Sequence, residues 1–285
     1  MAIIIAVTNH KGGVGKTTTV ANTGAGLVRK SKKMQVLVID LDPQSNLTQN
    51  LFPHDRRDYK GQTTIAQVLG GSALIDDAIV PTNVKGLDLV PSHIDLFEQE
   101  PNIQNGAGAV LGLHSALLKS EVLNNYDFVL IDCPPNLGTF MTNALYAASH
   151  VIIPIEASNR FALDGIQSLF KKVNDVNVFK QGQKTQTLGY LITRCDMRTN
   201  IAKTMTTAIR QAFGDQVFRT AIRSNTDFDK AIMLNKTIFQ QDLRASGATD
   251  YADVASEILE RLNFKLPAPE LVIEKGVADH EAPVK

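Results

Sequence analysis

The sequence predicts an α/β fold: a single-domain, doubly wound, mostly parallel sheet flanked by helices. Short runs rich in Val, Ile and Leu recur along the chain, and helix-length segments separate them. Its 285 residues suit one large domain with a continuous core. Strands are expected at 3–8, 35–40, 87–90, 128–132, 151–155 and 188–193. Most of these runs are apolar throughout rather than alternating, as strands covered on both faces must be. Helices are expected at 16–29, 109–123, 139–147, 162–174, 200–213 and about 248–262. Strand and helix in alternation give parallel neighbours joined by right-handed crossovers. The small-residue stretch 102–112 is expected as a loop or a frayed helix start. The domain is expected to run from 1 to 264, with 265–285 a flexible tail, since three prolines and several charges leave that segment without a usable period.

Composition excludes several classes. Lys+Arg and Asp+Glu both number 29, and 44% of residues are hydrophobic, too many for a disordered chain. Two cysteines cannot staple a fold of this size. No run approaches the ~18 apolar residues that span a bilayer, and Met1-Ala2 leads straight into the first apolar run without a charged leader. A soluble, cytoplasmic protein is expected. Zero net charge leaves nucleic-acid binding to a local patch.

The sharpest feature is Asn9-His10-Lys11-Gly12-Gly13-Val14-Gly15-Lys16-Thr17-Thr18, which leaves a predicted strand and opens a predicted helix. Glycines let the backbone curl so that several N–H groups converge on phosphate oxygens, and the helix start adds its positive end. Lys16 can reach the β- and γ-phosphates and the Thr17 hydroxyl can ligate Mg²⁺. His10 stands where the common phosphate loop has its first glycine, and Lys11 follows. Lys11 sits too early to fold back easily onto its own phosphates; it either crosses to a nucleotide held by a second subunit or lies solvated on the rim.

Carboxylates end two predicted strands. Asp40 and Asp42 lie at the carboxyl edge, where open α/β sheets bind ligands; the bland alternative is that they cap the turn Pro43-Gln44-Ser45. Asp132 closes Phe128-Val129-Leu130-Ile131, and a carboxylate there reaches Mg²⁺, through water. Cys133 beside it and Cys195 sit at different strand ends and are read as small semi-apolar residues rather than cluster ligands.

KGGVGKTTT at this place resembles the deviant Walker A box of the ParA/MinD group of P-loop ATPases. The likeness extends to VLVIDLDPQSNLT at 36–48, FVLIDCPPNLGTFMTNAL at 128–145, VIIPIEASNRFALDGI at 151–166, LGYLITRCDMRTN at 188–200 and FGDQVFRTAI at 213–222, which is similar to the ParA branch in particular. The resemblance implies ATP and Mg²⁺ as ligands and Gly12, Gly13, Val14, Gly15, Lys16, Thr17 and Thr18 as the phosphate cradle. It implies Asp42 as the carboxylate that positions the attacking water, Asp40 as support for the metal shell, and a trans role for Lys11. Thr193, Arg194 and Asp196 are placed near adenine, with 222–225 as a second wall. There the chain departs from the family pattern: Ile-Pro-Arg-Asn reads Ile222-Arg223-Ser224-Asn225. The resemblance further implies a homodimer formed on ATP binding, non-specific double-stranded DNA and a ParB-type centromere-binding protein as partners, and location on the nucleoid. A MinD-like ATPase acting on a membrane or protein scaffold is the alternative; the tail 266–285 lacks the basic amphipathic period that membrane targeting needs. No helix-turn-helix segment precedes the first predicted strand, so operator recognition is not expected.

Charge is uneven. Residues 180–244 carry eleven Lys/Arg against five Asp/Glu, and 245–285 carry four against eight. The basic stretch either meets DNA phosphates, with salt-dependent and sequence-blind affinity, or consists of ordinary solvated helix faces paired with acids such as Asp196, Asp215, Asp227 and Asp242. The resemblance favours DNA, with Arg198, Lys203, Arg219, Arg223 and Lys230 as the contacts.

Overall fold

A computed structural model of the chain describes residues 2–52, 61–106, 109–158, 163 and 165–266. Seven strands form one sheet in the order β3-β4-β2-β5-β1-β6-β7. They are β1 (Ile3–Val7), β2 (Val36–Asp40), β3 (Val80–Pro81), β4 (Leu87–Val90), β5 (Phe128–Asp132), β6 (His150–Glu156) and β7 (Gln186–Thr193). All neighbours are parallel except the two-residue edge strand β3, which runs antiparallel to β4.

Alternate strand residues feed two cores, one on each face. Ile5, Val7, Val36, Val38, Phe128 and Leu130 point to one face. There they meet α1 (Lys16–Val28), α2 (Asn46–Leu51), α10 (Ile238–Gln241) and α11 (Ser246–Arg261). Ala6, Leu37, Ile39, Val129 and Ile131 point to the other. That core is closed by α3 (Ile65–Leu69), α4 (Asp95–Asn105), α5 (Gly112–Lys119), α6 (Thr139–Ala147), α7 (Ile166–Phe179) and α8 (Asn200–Phe213). The helix α9 (Asp227–Met233) precedes α10. Burial on both faces explains the unbroken apolar runs, each large aliphatic side chain contributing about 1.5–3 kcal/mol. Close approach needs glycine at Gly26, where a Cβ would stand 3.0 Å from the Tyr251 carbonyl of α11.

The six predicted strands are all present, with ends differing by a residue or two, and so are the six predicted helices. The helix expected at 162–174 begins at Ile166 and runs on to Phe179, and that expected at 109–123 is shorter, Gly112–Lys119. Of the stretch expected as loop, 102–105 end α4 and Gly112 opens α5, while 107–108 lie outside the described residues. So does all but the first two residues of the tail 265–285. The additional elements are short, except α4, which carries Pro101 in its interior. Proline there removes a backbone donor and ordinarily ends a helix, which is why this segment does not read as one.

Lys180, part of the basic stretch, is buried rather than displayed. It ends α7, and its ammonium donates to the Ala148 carbonyl and to Thr185 Oγ1 (2.9 Å). Burial, reinforced by Lys184, lowers its pKa to about 8. The unfolded chain therefore holds this proton up to about 10.5 while the folded chain releases it near 8, so stability through this group rises with pH across that window. Denaturant melts at pH 7.5 and 9.5 should show a gain at the higher pH that is lost in Lys180→Met.

Candidate active site

Strand register assembles the site. β5 lies between β2 and β1, and Asp132 pairs laterally with Asp40 on one side and with Val7 on the other. Both strand-end carboxylates therefore stand in one row at the carboxyl edge, beside the strand that leads into the glycine loop. Asp40 is fully buried and accepts from three donors: Thr48 N–H (2.9 Å), the Thr48 hydroxyl (2.7 Å) and Asp42 N–H (3.0 Å). Burial raises its pKa to about 7, against the pull of those donors. Asp132 is just as buried, and neither of its oxygens has a hydrogen-bond partner of normal geometry. Burial first and the neighbouring Asp40 second push it well above the usual carboxylate range, while the Thr17 hydroxyl and Lys16 oppose. A divalent cation fits this arrangement: a buried carboxylate with idle lone pairs next to a threonine hydroxyl is an oxygen donor set of the kind Mg²⁺ takes.

The loop itself is held open by its glycines. Gly13 and Gly15 adopt φ of 76° and 84°, a region that L side chains rarely enter. Gly12 and Gly13 are exposed, Val14 is buried, and Lys16 lies over the loop with its ammonium donating to the Lys11 carbonyl (2.9 Å). Lys11 is half-buried at the rim, and its N–H donates to Asn9 Oδ1 (3.1 Å). Asn9 in turn donates to the Pro154 carbonyl of β6 (2.8 Å), which fixes the loop's entry. Burial lowers the Lys16 pKa, and Asp132, Cys133 and Asp42 counter it. Thr17 and Thr18 occupy the first turn of α1, and the Thr18 carbonyl accepts from Asn22 Nδ2 (2.8 Å).

Asp42 lies 8% exposed in the loop after β2, where its Oδ1 accepts from Gln44 N–H (2.9 Å). It thus caps the Pro43-Gln44-Ser45 turn while remaining near enough to Lys16 to act on its charge. Ser45 follows in a left-handed conformation with φ of 55° and leads into α2.

The residues expected near a base are partly engaged elsewhere. The Thr193 hydroxyl donates to the Val14 carbonyl (2.9 Å), so this side chain braces the loop from the end of β7. Arg194, with φ of 50°, reaches the Gly13 carbonyl (3.3 Å) and Glu156 (3.5 Å). Asp196 holds Arg198 through two bonds of 2.8 Å, and that pairing brings the Asp196 carboxyl down to about 2. Arg219 pairs with Glu260 and Glu257, Arg223 with Asp250 (2.6 Å), and Lys230 with Asp227 (2.9 Å). Lys203 is exposed on α8. Four of the five expected DNA contacts are thus surface cations already in ion pairs, a common state for exposed charges and one of small energy.

Three contributors escape sequence reasoning. Thr48, from α2, buckles Asp40. Gly165 leaves room for His10: a Cβ there would fall 1.6 Å from that ring. Tyr251 on α11 meets the Thr19 hydroxyl of α1 at 3.2 Å. The histidine in the first loop position offers a signal for Gly165, since a ring in place of a hydrogen must find space somewhere. Cys133 is buried and its thiol is pushed far up by burial and Asp132, and Cys195 is buried against Thr206, so both behave as core residues.

A glycine loop between a parallel strand and a helix, with an unpartnered carboxylate on the neighbouring strand, defines a P-loop nucleotide-binding fold. Residues 2–188 match the family model described as an AAA domain. The chain is 36% identical over 260 residues to the sporulation initiation inhibitor protein Soj of Bacillus subtilis, covering 90% of this chain and 98% of that protein. It is 33% identical over 259 residues to the chromosome partitioning protein ParA of Caulobacter vibrioides, covering 90% and 94%. Among solved structures, cobyrinic acid a,c-diamide synthase of Mycobacterium smegmatis with bound ATP analogue and magnesium matches with a TM-score of 0.78 at 31% identity, over 92% of this chain and 96% of that one. A plasmid partition protein of Borrelia burgdorferi shares the fold, with a TM-score of 0.73 at 24% identity over 93% and 100%. The chain belongs to the ParA/Soj family of partition ATPases.

Two outcomes follow from this geometry. Gly165→Ala should displace His10 and weaken nucleotide binding at least tenfold in a fluorescent-nucleotide titration, with the fold retained by circular dichroism. Lys16→Ala removes the cation over the loop, and ATP binding should fall below detection in the same titration.

Proposed function

We propose that this protein is a Mg²⁺-dependent ATPase that partitions DNA, switching its grip on DNA with the nucleotide it holds. The observation that carries this reading is the buried, unpartnered Asp132 beside Thr17 and Lys16. The match to a structure carrying an ATP analogue and magnesium supports the same ligands here. Thr17 and Asp132 would hold Mg²⁺, with Asp40 supporting them, and the ion would neutralise charge that develops on the transferred phosphoryl group. Phosphoryl transfer otherwise needs positioning and charge. The loop N–H groups from Gly12 to Thr18 grip the phosphates, Lys16 neutralises the β- and γ-oxygens, and Asp42 orients the attacking water. Lys11, half-buried at the rim, supplies positive charge to the nucleotide of a second copy. Thr193, Arg194 and Asp196 line the approach to the base.

On this reading ATP draws two copies together face to face, and the pair binds double-stranded DNA non-specifically through Arg198, Lys203, Arg219, Arg223 and Lys230. Two joined patches bind far more tightly than one. A ParB-type centromere-binding protein then stimulates hydrolysis and releases the DNA, in the cytoplasm on the nucleoid. Among the described residues no helix is long and apolar enough to cross a membrane.

The deciding experiment is DNA affinity measured with ATP, ADP and increasing salt. Affinity should require ATP and fall steeply with salt; equal affinity in ADP and ATP would sink the switch. Asp42→Ala should lower kcat by about 10²-fold or more while leaving an ATP-dependent dimer in light scattering. Lys11→Ala should retain nucleotide binding by the monomer and lose that dimer.

A further inference from the structure

After α8 the chain returns alongside β7. Ile222 N–H donates to the Ile192 carbonyl (2.8 Å), Cys195 N–H to the Ile222 carbonyl (3.0 Å), and Ser224 N–H to the Cys195 carbonyl (3.1 Å). Residues 222–224 therefore extend the sheet at the strand end where Thr193 braces the phosphate loop. This is the segment in which arginine replaces the proline of the family pattern.

The replacement is built in. Arg223 N–H donates to Asp250 Oδ2 (2.9 Å), a bond proline cannot make. The guanidinium returns to the same carboxylate, Nε at 3.0 and 3.1 Å and Nη2 at 2.6 Å, and Nη2 also meets the Ser246 carbonyl (3.3 Å). Two residues on, Asn225 Nδ2 donates to Ser246 Oγ (3.1 Å). Asp250 is 4% exposed, so Arg223, itself half-exposed, rather than water neutralises its charge. The residue after it, Tyr251, is the one bonded to Thr19 in α1. Adjacent residues of α11 thus hold the helix that starts at the phosphate loop and the segment beside the end of β7.

We propose that Arg223 and Asp250 form a positioning clamp that fixes 222–225 as the base-side wall of the nucleotide pocket, doing with an ion pair to a buried carboxylate what a fixed-φ proline does in the family pattern. The proposal rests on the ATP-binding reading above. Neither residue touches the reacting phosphate; both act through the placement of Ile222, Ser224 and Asn225. Proline restricts its own backbone in any surroundings, whereas the N–H and guanidinium of this arginine are held together by Asp250, in addition to the bonds of Ile222 and Ser224 to β7. The two positions are therefore coupled: Arg223→Pro alone leaves Asp250 buried without its donors, and Asp250→Ala alone leaves 222–225 held only by its bonds to β7 and Ser246.

The test compares wild type, Asp250→Ala, Arg223→Pro and the double variant Arg223→Pro/Asp250→Leu for ATP and GTP hydrolysis. Thermal melting and DNA binding are followed alongside. Asp250→Ala should raise KM for ATP about tenfold with kcat within about threefold, and should narrow the preference for ATP over GTP by a similar factor, since base contacts set discrimination. Arg223→Pro should behave at least as badly, and the double variant should return both KM and base preference to within about threefold of wild type. Lost packing alone would move the melting temperature without moving base preference. The clamp is overturned if Asp250→Ala keeps the wild-type KM and base preference, which would leave Arg223 a DNA contact alone, or if the double variant is no better than Arg223→Pro. A wild-type chain that binds no nucleotide would instead overturn the ATP reading itself.

Discussion

The site depends on one constraint: parallel register brings two buried carboxylates to the same level at the end of adjacent strands. Like charges so close and so deeply buried cannot both stay ionised without compensation. Asp40 obtains it from Thr48 and from its own loop, which ties the segment after β2 into a fixed path. Asp132 has no such partners, and only the Thr17 hydroxyl and Lys16 act to compensate its charge. The asymmetry between two chemically identical side chains separates the one that fastens its loop from the one whose acceptors stay idle.

The helices on one face act as a frame for that edge. α1 carries the phosphate loop at its start, and α11 packs along it closely enough to require glycine at Gly26. From the same helix, Asp250 and Glu257 reach across to the returning strand-like segment, where Glu257 accepts Arg219 N–H at 3.0 and 3.1 Å. Arg261 adds donors to the carbonyls of Leu188 and Val217 (3.0 and 2.8 Å) and lies over the Phe218 ring. The end of the chain's described portion thus fixes the geometry of its beginning, without contributing a group to the pocket.

Sheet, strand positions and phosphate loop are legible because each is a local pattern: apolar runs for doubly covered strands, and glycines before Lys16-Thr17 for a backbone that must curl. The strand-end acids are legible as candidates, but their pairing across the sheet is not, since lateral neighbours are set by strand order rather than by sequence distance. Short helices such as α2 and α10 fall below the length at which periodicity speaks, and α4 hides behind Pro101. Side-chain duties at the rim are hardest to read. Thr193 braces a carbonyl, Lys180 is buried, and most of the basic stretch is already paired, because an ionised side chain seeks its nearest opposite charge whatever the residue count suggests.

Both margins of the sheet are short of open pairing positions. On one side β3 is only two residues long, runs against its neighbour and ends in Pro81, which has no donor to offer. On the other, residues 217 and 222–224 take up bonding positions along β7. Neither flank offers a long open run of backbone donors, which disfavours edge-to-edge pairing of copies of this chain.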